Sequence, residues 1–435
     1  MGTHKNRDRI SYLPWDVLDN ILVRLNLKEV VRTSILSSNW RHKWTGISQF
    51  VLDDKCIPIR ISDKVARWGS IMEIIRQVQL CHDGAIEKFK LAAYCQPDHS
   101  DLDQWIRFLT SKGLKELILQ EFDSIRRFNL PSCLLSSPLL NRLELFGCRF
   151  KPSSVVNEFR SLTTLQLNQV CISDRMLECL VSNSPVLERL ILLDIDHQIV
   201  LRIRNPNLKY LRVDSNFDDI CLEHSPLLAT VDIGLRVGVT PQFVNSRGGQ
   251  LVRIIGRLHA LRKLTLSSAF LRFLGNISVP DRLPTMLQHL SVLELKDVRL
   301  DSMTEVMVCI CIFRSAPNLE KLLLSVAGTT AYSRPNVEFL ITQSLSNLYF
   351  EQLKEASIRA VQGVIPELIL IQFLLARSPV LKKMTIVHYG SERLPGESLQ
   401  QFVPASKDCQ PLGMELCSHV GQFGNIACLT LCLAI

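Results

Sequence analysis

The chain has no long hydrophobic run. About twenty consecutive apolar residues are needed to cross a bilayer as a helix, so no membrane-spanning segment and no membrane partner are expected. No leader of the secretory kind is expected either, since MGTHKNRDR is polar and no apolar stretch comes after it. The thiols are therefore expected to stay reduced, in a cytoplasmic or nuclear setting. Asn6, where Ser or Thr would be needed after Met1-Gly2, removes a myristoylation signal. Also missing are a Gly-rich phosphate loop, His-Glu-x-x-His and Gly-x-Ser-x-Gly. Neither an enzyme nor a cofactor is expected.

Cysteine is plentiful, at 14, but lacks metal-site spacing. Cys309-Ile310-Cys311 and Cys428-x-x-x-Cys432 have no companion pairs, so no metal is expected. Cys148 and Cys171 sit where a small buried hydrophobe would serve. Asp194-Ile195-Asp196-His197 and Asp214 with Asp218-Asp219 gather acidic groups after expected strands, where solvated turns are the better reading. With 47% apolar and 21% charged residues in 435, a soluble globular protein of two or more structural units is expected. The formal net charge is +8, and residues 1–50 hold eight Lys/Arg against four Asp/Glu. That suits an acidic partner, beside the plain alternative of a mildly basic solvated surface.

Residues 8–44, from Asp8 to Trp44, are organised differently from the rest. Leu13-Pro14 opens a helix, because proline fits the first turn where its missing N–H costs no bond. Val17, Leu18, Ile21, Leu22 and Leu25 give that helix an apolar face. Asn26-Leu27-Lys28-Glu29 reads as a capping box starting a second helix, with Leu27, Val30, Val31 and Ile35 toward a core. Ser37 or Ser38 can cap a third, placing Trp40 and Trp44 on one face. So short a helical unit buries little alone and needs the rest of the chain or a partner.

Leu13-Pro14, Ile21-Leu22, Leu25, Val31-Arg32-Thr33-Ser34, Leu36-Ser37 and Trp40-Arg41-x-x-Trp44 resemble an F-box. The Val-Arg-Thr-Ser-x-Leu-Ser run is similar to the plant F-box/FBD/LRR-repeat family. The resemblance implies docking on the Skp-type adaptor of a cullin ubiquitin ligase. It implies adaptor-binding roles for Leu13, Pro14, Ile21, Leu22, Leu25, Val31, Leu36, Trp40 and Trp44, several of which could instead be internal core. One position departs: where the family usually has Leu-Pro, this chain has Leu25-Asn26, which can start a helix but lacks the proline's contact with the adaptor.

Val51-Leu52-Asp53-Asp54 reads as a strand end. Ser62 to Leu80 reads as an amphipathic helix through Val65, Trp68, Ile71, Ile75 and Val78, expected to cap the open end of a repeat array. From Ile86 a pattern of apolar, two others, apolar, one other, apolar appears twelve times: Ile86-Phe89-Leu91 is the first and Leu381-Met384-Ile386 the last. Successive starts lie roughly 20 to 34 residues apart, near the leucine-rich-repeat period. Ser184-Pro185, Asn205-Pro206, Ser225-Pro226 and Ser378-Pro379 open repeats, since proline ends the preceding helix and favours extended chain. The return segments are expected to be helical or irregular, as in Ser173 to Ser182 with its stripe of Met176, Leu177 and Leu180. Inward leucines would stack into a ladder that no repeat could bury alone.

Outward strand positions mix charge, hydroxyl and apolar character. Arg142, Glu144, Arg189, Tyr210, Arg212, Asp232, Lys263 and Glu294 are candidate contacts to a protein target, although any one of them is more often a solvated strand side chain. The uniform basic stripe with stacked aromatics that nucleic acid would need is lacking, so no nucleic acid is expected. Gly234 to Gly249 reads as an insertion, serving contacts or simply tolerated. Leu353-Lys354-x-Ala356-x-Ile358, Gly363, Glu367-Leu368, Phe373-Leu374-Leu375 and Ser378 to Ile386 resemble the family's FBD segment. This reads as strand, helix from Pro366 with Leu368, Ile371 and Leu375 on one face, then strand. No regular pattern of useful length is expected between His388 and Asn425.

The expected fold is α/β: a three-helix F-box at 8–50, a linker and capping helix at 51–85, leucine-rich repeats at 86–344, an FBD-like closing repeat at 345–388 and an atypical tail at 389–435. Its solenoid would carry parallel strands on the concave face and helices or irregular segments on the convex one. The expected function is target recognition within a Skp-cullin-F-box ubiquitin ligase, with the adaptor, cullin and an unknown protein substrate as partners. The alternative is a repeat scaffold that binds proteins without recruiting a ligase.

Overall fold

Apolar side chains two residues apart on a strand point to the same side, so each repeat's last two leucines must face one core. In the computed structural model they do. The structure describes residues 10–56, 63–95, 99–122, 127–151, 159–196, 198–236, 250–276, 278–327, 348–389, 411–421 and 424–433. The start of the expected F-box at Asp8, His197, most of the Gly234–Gly249 insertion and much of the expected tail lie outside these residues. The chain divides into two compact units, Met1–Leu208 and Lys209–Ile435.

The first unit opens with helices α1 (Trp15–Leu22) and α2 (Leu27–Arg32). Asn26 starts α2 as expected: its Oδ1 accepts from Glu29 N at 3.0 Å and Glu29 Oε2 accepts from Asn26 N at 3.3 Å. The expected third helix is absent. Ser38–Trp40 and Lys43–Gly46 form only short 3-10 turns, too brief to align Trp40 and Trp44 on one face. Then come β1 (Gln49–Asp53), α3 (Lys64–Cys81), β2 (Lys88–Cys95), α4 (His99–Ser111), β3 (Glu116–Phe122), β4 (Arg142–Phe146), β5 (Thr164–Asn168), α5 (Asp174–Ser182) and β6 (Arg189–Leu193).

The six strands pair in parallel, in chain order. Their register places Phe50, Phe89, Leu117, Leu143, Leu165 and Leu190 in one inward row. None of the six is more than 3% exposed. The sheet thus begins one strand before the first repeat at Ile86. Helix α3 buries Trp68, Ile71, Ile75 and Val78 as expected, but Val65 is exposed in its first turn. Helix α5 starts where Ser173 Oγ accepts from Met176 N, and buries Met176, Leu177 and Leu180.

The second unit repeats the plan. Strands β7 (Tyr210–Ser215), β8 (Thr230–Leu235), β9 (Lys263–Ser267), β10 (Val292–Val298), β11 (Lys321–Val326), β12 (Glu355–Val361) and β13 (Lys383–Tyr389) pair in parallel. Leu211, Val231, Leu264, Leu293, Leu322, Ala356 and Met384 form one inward row. Helices α6 (Ser268–Gly275), α7 (Met303–Ser315) and α8 (Ile365–Arg377) lie on the return segments.

Gly363 and Glu367 acquire a physical role at the start of α8. The buried Glu367 Oε2 gathers the N–H groups of Gln362, Gly363 and Val364 at 2.9, 2.7 and 3.2 Å. Gly363 sits at φ +85°, a conformation that resists a side chain. The buried face of α8 is Leu370, Ile371 and Leu374; Leu368 and Leu375 are half-buried.

A hairpin closes this sheet, which corrects the expectation of no regular pattern before Asn425. Strand β14 (Pro411–Gly421) pairs antiparallel with β15 (Gly424–Leu433), and β15 pairs antiparallel with β13. An open parallel edge supplies backbone partners that no local sequence pattern announces.

Candidate docking and recognition surfaces

The helical head is tied to the repeats by polar bonds. Asp19 on α1 accepts from Ser48 N at 3.0 Å and Ser48 Oγ at 2.6 Å, just before β1. Asp83 N donates to Thr45 O at 3.2 Å, and His82 Nε2 lies 2.9 Å from Ile47 O. Burial pushes the His82 imidazole below its usual 6.5, the Lys112 cation acts in the same direction, and the Ile47 carbonyl and Asp83 oppose them.

These ties fix which side of the head is inside. Leu18, Leu22, Leu27, Val30 and Trp40 form its core, with Trp40 Nε1–H donating to Ser11 Oγ at 2.6 Å. Leu22 (1% exposed) and Trp40 (6%) therefore hold the head together and present nothing to a partner. Leu13 and Trp44 are half-buried. Pro14, Ile21, Leu25, Val31 and Leu36 are exposed. Val31 and Ile35 do not face the core, and Val17, Ile21 and Leu25 do not share the burial of Leu18 and Leu22. Ile10, Tyr12, Trp15, Val17 and Ile35, not singled out as docking residues from the sequence, are also large, apolar and exposed. Ile35 is 84% exposed, and its place four residues after Val31 was the available signal.

The outward sheet faces are largely self-paired. In the second unit Asp232 lies 3.5 Å from Arg212 and 3.2 Å from Lys296, and Glu294 lies 3.3 Å from Lys263. Tyr210 is half-buried there. A cleft of about 450 Å³ is lined by Arg212, Asp232 and Lys296 together with Ser267, Arg272 and Arg299. Beside it Glu305 is fully buried and takes bonds from Arg299 N at 2.9 Å and Arg272 at 3.0 Å; burial raises its carboxyl above the usual range, against the pull of Arg299 N–H, Ser268 and Arg272. In the first unit Arg189 is exposed, whereas Glu144 is buried. Glu144 receives Arg142 Nε at 2.7 Å and Gln120 Nε2 at 2.9 Å. Among the described residues no group of His, Cys, Asp and Glu is placed to hold a metal, and no helix is long and apolar enough to cross a membrane. Burial raises the Cys148 and Cys309 thiols, and pushes Cys311 up to about 11, so they pack as neutral hydrophobes.

A short helical head with an exposed apolar surface, joined to stacked leucine-rich repeats, defines an adaptor-type class of protein. An F-box domain model matches residues 10–50. A model described as FBD-associated F-box protein At5g56370, LRR repeats, matches residues 102–324. The F-box/FBD/LRR-repeat protein At1g13570 of Arabidopsis thaliana is 34% identical over 382 residues, covering 87% of this chain and 91% of its own. The F-box/FBD/LRR-repeat proteins At1g78750 and At1g51370 of the same plant are 26% and 27% identical, covering 87% and 91% of this chain and 89% and 93% of theirs. The chain belongs to the plant F-box/FBD/LRR-repeat family.

Proposed function

We propose that this chain is the target-recognition subunit of a Skp-cullin-F-box ubiquitin ligase, working in the cytoplasm or nucleus. The head docks on a Skp-type adaptor, and the outward sheet faces hold a protein to be ubiquitinated. The observation that carries the reading is the head's apolar exterior: Ile21, Leu25, Val31, Ile35 and Leu36 are exposed over a core already closed by Leu18, Leu22 and Trp40. Catalysis is positional, since holding a target beside a separately carried conjugating enzyme raises its effective concentration.

Capture on a purified Skp-type adaptor tests this. The intact chain is retained. Ile35→Asp/Leu36→Asp loses retention at unchanged thermal stability, because both side chains are already in water, and Leu13→Ala/Pro14→Ala weakens it. Equal retention of all three argues against docking through this surface. The second reading, a repeat scaffold outside any ligase, rests on Asn26 in the place of the family's proline; failure of the intact chain to be captured favours it.

A further inference from the structure

Among the described residues of the first unit, the ladder between β3 and β4 stops short of the strand ends. Its last pair is Ile118 with Glu144. Strand β3 stays paired with β2 to Phe122, past a register shift after Gln120, and β4 with β5 through Phe146 opposite Asn168. A cavity of about 180 Å³ opens there, lined by Leu119, Gln120, Glu144, Leu145, Phe146, Gln166 and Asn168. It is smaller than the roughly 300–1,000 Å³ of pockets that take cofactors or drug-sized ligands.

The chemistry of the notch is neutral and amide-rich. Glu144 is 5% exposed, and both its oxygens are occupied, one by Arg142 and the other by Gln120. Its charge is balanced, so it is a fixed wall that does not ask for a cation. Gln166 and Asn168 differ. Among the described residues no hydrogen bond reaches either side-chain amide. Each offers one carbonyl acceptor and one NH2 donor, the same pair of functions a peptide group carries. They sit two apart on β5, hence about 6.6 Å from each other, the distance at which an extended chain repeats its own peptide orientation. Ile118 and Ile191 flank Glu144 and Gln166 in the same outward row.

We propose that this notch grips an uncharged, extended stretch of a protein target by its main chain, with Gln166 and Asn168 bonding alternate peptide groups. The proposal rests on the reading that this sheet face meets the target, and it adds where and by which atoms. Gln120 gives a side-chain N–H to Glu144 and so helps to hold that wall in place.

The test selects short random peptides, displayed on phage, against the full-length chain. Enriched peptides are then measured against the wild type, Gln166→Ala/Asn168→Ala, and Thr164→Ala as an outward control on the same strand. The double variant is expected to weaken binding about tenfold or more, as the loss of two net hydrogen bonds requires, with Thr164→Ala unchanged. N-methylation of alternate peptide bonds in an enriched peptide is expected to weaken binding to the wild type as strongly, a readout that does not depend on any variant folding. No enrichment, binding indifferent to the double variant, or binding indifferent to N-methylation each overturns the proposal. Adaptor capture of the same variants keeps the two readings apart: it is expected to stay intact, and its loss in the wild type would strike ligase docking alone.

Discussion

Ile35 and Leu36 stand mostly in water, although burying a side chain of that size is worth about 1.5–3 kcal/mol. Single exposed leucines are common, but these two come soon after Val31 in one short stretch of the head, and together they form a surface that a partner can cover. Charging both should remove several kcal/mol of docking energy, enough to abolish capture, while costing the folded chain little. His82 offers a second test at this scale. Its Nε2 faces the Ile47 carbonyl, and its Nδ1 is buried without a partner among the described residues, so the charged form is penalised. The folded value lies below the unfolded 6.5, so the unfolded chain takes up the proton first. The stabilisation is fully present above 6.5 and is lost as pH falls through the folded value. Urea midpoints of wild type and His82→Gln should converge as pH falls from about 7.5 to about 5.5; a constant gap would show that His82 does not titrate in this way.

At the scale of elements, the leucine rows carry the stability and the outward rows carry little of it. Leu264 is fully buried in the second unit's inward row, so Leu264→Ala should cost about 2–5 kcal/mol in denaturant unfolding. Arg212→Ala breaks a partly exposed cross-strand pair and should cost no more than about 1 kcal/mol. Similar losses for the two would contradict this division. The rows were legible because a strand's period of two leaves the same imprint twelve times over. Helix α7 was not. Val306, Val308, Cys309, Ile310, Cys311, Ile312 and Phe313 are all buried, and a helix that is apolar all round has no stripe to read. The notch at Gln166 and Asn168 was equally hidden, because it exists only where the β3–β4 ladder stops.

Taken as a whole molecule, the chain needs its sheet edges covered. In the second unit β15 does this for β13, so a chain ending at Tyr389 should expose the backbone of Lys383–Tyr389 and self-associate. Light scattering against protein concentration checks it; a truncated chain that stays monomeric would mean the edge needs no cover. The repeat period, the α2 cap at Asn26 and the family can all be read from the sequence, because each is written in residue types at fixed spacing. Packing, in contrast, turns Leu22 and Trp40 inward and Ile35 and Leu36 out, and closes Glu144 while Gln166 and Asn168 keep open amides among the described residues. A short helix with apolar residues on several sides does not say which side its neighbours will cover, and a strand does not say where its pairing will end.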